Sequence, residues 1–359
     1  MTENSSNCID HFGHADFDIE RIGSTYPRSC PVKNCAAKPE TLLFGRSRIP
    51  VCREHGLRLH SNTFVYWNGA GEAGNTTARL RNFVVRPDLA AKIALGSVAK
   101  AENYRLGYEL SEDALTWNVF VAIAEAGKLR GAAEFLTGRA VDAEPALYLW
   151  GELIDVRGRR RGVFNRLDVA RDLLERDIRR FRTEPDVMLV IDDRLVVCIE
   201  AKFGSGNPLA FDATVEGGSK PMDRDGLLAR YLDRSGPLTR AVIDRNQVGP
   251  RMHSQLFRNV VFAAEMANSA DWHVVNLVSS TQWQRQTRSE LRHHSYQDPT
   301  QDVVAYLKPG YENRFSFRTW EGLYQRVIRT DGEFAHLAAY MESKSAHYRR
   351  AFSLESAPV

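Results

Sequence analysis

No stretch of this 359-residue chain is apolar over membrane-spanning length. The start, MTENSSNCIDHFGH, lacks the basic and apolar regions of a secretory signal, so a cytoplasmic protein is expected. Cysteine is scarce: five in a chain this long form no disulfide framework. Charge of one sign is also lacking, since the net value is only +3 and defines no partner by itself. The glycines lack the spacing and strand-to-helix context of a nucleotide fingerprint, which excludes a dinucleotide or P-loop reading. There is no internal repeat, heptad run or low-complexity tract. What remains, at 43% hydrophobic and 26% charged residues, is a globular composition with room for a sizeable core and a smaller module.

The most informative stretch is TEPDVMLVIDDRLVVCIEAKFGSG, residues 183–206, where two apolar runs flank a polar turn. Asp186 opens the first run, and Glu200 and Lys202 close the second. Strand side chains alternate, so Glu200 and Lys202 share a face. If the runs pair as a hairpin with a two-residue turn, Asp186 falls on the opposite side of the sheet from Glu200. A three-residue loop, Asp192 to Arg194, instead pairs Ile191 with Leu195 and sets Asp186 opposite Glu200, with Cβ atoms about 5 Å apart. That register is the expectation. Two carboxylates so close call for a hard divalent cation such as Mg²⁺, and Lys202 beside them suits orienting water or steadying charge on a phosphate. Cys198, on the same face, reads as a small core residue.

Pro185-Asp186, thirteen intervening residues, then Glu200-Ala201-Lys202 resembles the PD-(D/E)xK nuclease superfamily over about residues 108–280. The resemblance implies a restriction-endonuclease-like α/β/α core with a mixed central sheet, Mg²⁺ or Mn²⁺ at Asp186 and Glu200, and phosphodiester hydrolysis in DNA. It also implies an acid on the helix before the first core strand. SEDALTWNVF looks like that helix, with Ser111 as N-cap, Glu112 as the first choice of metal-site acid and Asp113 as the second. Acids in a first helical turn also favour the helix dipole in any protein. Glu152, in ALYLWGELI (146–154, expected as the first core strand), competes for the role. Gln255 fits the place of a polar residue that several members carry on a later helix.

A second signal lies near the N-terminus. Cys30 and Cys35 are separated by four residues and Cys52 and His55 by two, with sixteen between the pairs, which is the pattern of a closed structural Zn²⁺ site. Residues 1–60 contain little else from which to build a core, and metal binding supplies folding energy. Cys8, His11, His14 and His60 are less regular alternatives. CPVKNC through VCREHGLRLH resembles small bacterial zinc-binding modules.

The expected organisation is a zinc module over 1–65, a linker and accessory helix over 66–107, the nuclease-like core over 108–285, and a helical extension over 286–359. Leu167, Ala170, Leu174, Ile178 and Phe181 mark a core-facing helix, SQLFRNVVFAAEMA (254–267) another, and WHVVNLVSS (272–280) a buried strand. EFAHLAAYMESKSAHYRRAF is expected as a helix. Arginines gather in RGRRRGVFNR (157–166) and RDIRRFR (176–182), where they suit a polyanion. The leading expectation is a metal-dependent endonuclease. A non-catalytic DNA- or partner-binding protein that keeps the fold, and hydrolysis of another phosphorylated substrate, remain alternatives.

Overall fold

The computed structural model describes residues 17, 21, 29–60, 63–69, 76–95, 104–158, 162–178, 182–208, 224–249, 252–283, 294–295, 298–329, 334–346 and 349–354. Cys8, His11, His14, Phe181, most of the glycine-rich segment after Lys202 and the middle of both arginine clusters lie outside these residues. The chain forms two compact units, residues 1–122 with 328–359, and residues 123–327. The dividing line falls at 122, not near 107, and the last 32 residues return to the first unit. Among the described residues no helix is long and apolar enough to cross a membrane.

The first unit carries a four-stranded antiparallel sheet in chain order: β1 (Glu40–Phe44), β2 (Ser47–Cys52), β3 (Leu57–Leu59) and β4 (Phe64–Tyr66). Its small core joins Phe17, Val32, Leu57, Leu59, Phe64 and Tyr66 to Cys30 and Cys52. Helix α1 (Glu112–Glu125) starts where expected, with Ser111 Oγ accepting the Ala114 N–H at 3.2 Å. Leu115, Val119 and Ala122 are buried, but so are Trp117, Phe120 and Val121. A helix apolar all round lies inside a core. The C-terminal helix stops at Glu342, short of the expected length. There the buried Lys344 donates to Glu109 O at 2.7 Å and Asn82 Oδ1 at 3.0 Å, and Ala351 N–H bonds back to Lys344 O. Satisfying that ammonium turns the chain into a hairpin.

The second unit is mixed α/β. Its longer helices are α2 (Leu129–Thr137), α3 (Asn165–Leu174), α4 (Arg224–Arg234) and α5 (Ser254–Ala267). Its strands are β5 (Ala146–Leu149), β6 (Glu152–Leu153), β7 (Val187–Ile191), β8 (Leu195–Ala201), β9 (Asp271–Val278) and β10 (Phe315–Thr319). The sheet order is β10-β9-β8-β7-β5-β6, parallel across β10, β9 and β8 and antiparallel beyond. Met188, Val190, Val196, Cys198 and Val274 pack one face against α3, α4 and α5, while α2 covers the other through Phe135, whose carbonyl accepts from Arg318 of β10.

Two expected elements are shorter than read. ALYLWGELI is a hairpin, because Trp150 and Gly151 both take positive φ and reverse the chain after β5. Glu152 therefore stands half-buried on the edge strand β6. Helix α3 ends at Leu174, so Ile178 lies beyond it. The cause is Glu175, fully buried, whose carboxylate accepts the Thr183 N–H at 2.6 Å, the Thr183 hydroxyl, and the Tyr231 hydroxyl at 2.8 Å. Those bonds tie Glu175 to Thr183, ahead of β7.

Candidate functional site

β7 and β8 pair with Ile191 opposite Leu195 and Val187 opposite Ile199, the register expected of a three-residue loop. Asp192, first in that loop, takes φ +32, which lets so short a connection close. Continuing the register by one residue sets Asp186 opposite Glu200. The alternation that points Met188 and Cys198 at α5 also points Asp186, Glu200 and Lys202 to that side.

Local bonds hold these three groups. Lys202 Nζ lies 2.6 Å from Glu200 Oε1, and Asn259 of α5 donates to Glu200 Oε2 at 2.8 Å. Glu200 is 4% exposed and Lys202 7%, so the pair is buried and each charge depends on the other. Asp186 is half-buried; its Oδ2 accepts the Ala201 N–H at 2.8 Å and its carbonyl accepts from Trp150. The Lys202 backbone is fixed from both sides, donating to Leu277 O at 2.8 Å and accepting from Trp320 Nε1 at 3.0 Å. Asn276 of β9 reaches toward Glu200 O and accepts from Asn207. Two carboxylates and one ammonium leave one negative charge on these three side chains.

Glu112 is half-buried in the first turn of α1 and Asp113 follows it; both belong to the first unit. Gln255 lies one turn before Asn259, its Oε1 buried without a hydrogen-bond partner among the described residues. Asn259 and Asn276 are the contacts that sequence reasoning missed. Each was visible as a single amide inside an apolar run, FRNVVFAA and HVVNLV, where burial demands a polar partner. Cys198 is a core residue, and burial pushes its thiol well up. Of the arginines, Arg166 pairs with Asp193, Arg182 with Asp172 and Arg157 is exposed.

In the first unit, Cys30, Cys35, Cys52 and His55 bring their donor atoms within 4.8 Å of one another. Cys52 closes β2, and the turn before β3 carries His55. The Cys35–Cys52 Sγ separation is 3.9 Å, and His55 Nδ1 lies 3.6 Å from Cys30 Sγ and 3.5 Å from Cys52 Sγ. A tetrahedron with Zn–S bonds of about 2.3 Å has edges of about 3.8 Å, so this Cys3His group could hold Zn²⁺. Burial, with the neighbouring thiols, holds Cys30 far above its ordinary range, the condition a bound cation reverses. His60 sits apart, its ring against Tyr108.

No protein-family model, curated protein or solved structure matches the chain.

Proposed function

We propose that the chain is a metal-dependent nuclease with a restriction-endonuclease-like core, cutting phosphodiester bonds in DNA in the cytoplasm. The observation that carries this reading is the hairpin register, which sets Asp186 opposite Glu200 with Lys202 two residues further on the same face. Asp186 and Glu200 would hold Mg²⁺ or Mn²⁺. The bound ion supplies Lewis-acid polarisation of the phosphate and a water of lowered pKa. Asn259 orients the Glu200 carboxylate, and the Ala201 N–H orients Asp186. Lys202 Nζ, held at the same carboxylate, is the group placed to orient the attacking water and to meet negative charge building on the phosphate. The Cys3His group gives the N-terminal module its fold.

One observation favours a second reading, a DNA- or partner-binding protein that does not cut. Both Glu200 oxygens already have partners in Lys202 and Asn259, as in a purely structural ion pair. Supercoiled, linear and branched DNA incubated with the protein, with Mg²⁺ or with chelator, separates the two. The nuclease reading expects Mg²⁺-dependent cleavage that Asp186→Asn and Lys202→Ala each reduce at least 100-fold with DNA retention unchanged. Salt-sensitive binding with no cleavage at any Mg²⁺ concentration establishes the second reading instead.

A further inference from the structure

At the other end of the second unit's sheet, where β8 and β9 begin, two guanidinium groups share one carboxylate. Arg139 donates to Asp271 Oδ2 at 2.8 Å, and Arg314 pairs with the other oxygen of the same side chain. Arg318, half-buried, donates only to the carbonyls of Phe135 and Phe317 among the described residues. Ser316 and Arg318 alternate along β10 and so share a face, the face from which His273 bonds Ser316 Oγ at 2.7 Å, and Arg314 lies just before that strand. Two buried nitrogens here, His273 Nδ1 and Arg314 Nε, have no hydrogen-bond partner among the described residues. Beside them opens a cavity of about 220 Å³ lined by Arg139, Arg194, Asp271 and His273, with apolar walls from Val141 and Leu195.

Like charges crowd together at a protein surface only at a free-energy cost, and here two cations share a single anion. The repulsion is felt: after burial, Arg139 helps lower Arg314. Arg194 at the cavity rim pairs with Asp142, so it adds no net charge but offers a movable donor. An oxyanion satisfies what the cluster lacks: it neutralises the excess and accepts from guanidinium forks that match its geometry.

We propose that this cavity binds a small molecule bearing a phosphate or carboxylate group, its oxygens against Arg139 and Arg194 and its apolar part against Val141 and Leu195. The site is separate from the Asp186–Glu200–Lys202 group, because five residues of β8 at ~3.3 Å each put about 16 Å between the two ends. It does not depend on the nuclease reading.

The test is calorimetry and thermal shift on the full chain with inorganic phosphate, pyrophosphate and citrate, each against sodium chloride at equal ionic strength. At least one anion binds saturably at one per chain, and the phosphate and citrate arms tell which oxyanion the site prefers. Arg139→Gln and Arg194→Gln each weaken that binding at least tenfold, whereas Asp186→Asn leaves it unchanged. Should the half-buried Arg139 variant fail to fold, Arg194→Gln, at the exposed rim, carries the test. Silence in every arm, binding indifferent to all the arginine substitutions, or binding lost in Asp186→Asn overturns the proposal.

Discussion

Asn259 shows how much one amide decides here. It is buried on α5 and supplies one of the two bonds that satisfy the Glu200 carboxylate. Asn259→Leu should therefore destabilise the protein by about 2 kcal/mol, the usual loss for a hydrogen bond to a buried charge, read by urea denaturation. Lys202→Met should cost more, about 3–5 kcal/mol, because it leaves Glu200 buried without its counter-charge. His273 gives a pH signature. Burial, then Arg139 and Arg318, lower its pKa to about 3, from an ordinary 6.5. The unfolded chain thus binds a proton below pH 6.5 that the folded chain refuses until near pH 3, and stability falls as pH drops through that window. His273→Gln should flatten the fall in denaturation midpoints measured between pH 6.5 and 4; an unchanged slope assigns the acid sensitivity to other groups.

At the scale of elements, apolar periodicity and turn chemistry predicted the structure well where segments are buried and short. The β7–β8 register followed from loop length and facing charges, and α5 and β9 fall where their apolar runs lie. Two of the misses share a cause, which is long-range satisfaction of a buried polar group. Glu175 ends α3 by bonding Thr183 and Tyr231, and Lys344 ends the C-terminal helix by reaching Glu109 and Asn82, partners that no local window contains. The split of ALYLWGELI rests instead on Trp150 at positive φ, a conformation its side chain does not advertise. Asp192 offers a clean test of the hairpin. At φ +32, Asp192→Val should lose about 1 kcal/mol while Asp192→Gly is neutral or slightly stabilising, by thermal melts. Equal losses for both would mean that the loop conformation does not set the register.

For the whole molecule, the sequence made the metal group of the first unit fully legible, since Cys30, Cys35, Cys52 and His55 meet as their spacing implies. The acidic group was legible as two strand ends but not as a buried network, because Asn259 and Asn276 come from elements far along the chain. The division into units was not legible either, since it passes through α1 and takes back residues 328–359. The purified protein should carry one zinc per chain, by elemental analysis. Chelation or Cys52→Ser should melt the first unit, seen as a lost or lowered thermal transition with a second cooperative transition retained. A metal-free preparation with the same melting profile would show that the module folds without it.

The account turns on whether Asp186 and Glu200 together hold a divalent cation beside Lys202. Anomalous scattering from crystals grown with Mn²⁺ addresses this directly. The account predicts a single strong peak in the second unit, within bonding distance of both carboxylates and absent in Asp186→Asn crystals. Full Mn²⁺ saturation with no peak there, and Glu200 still bonded only to Lys202 and Asn259, would contradict it.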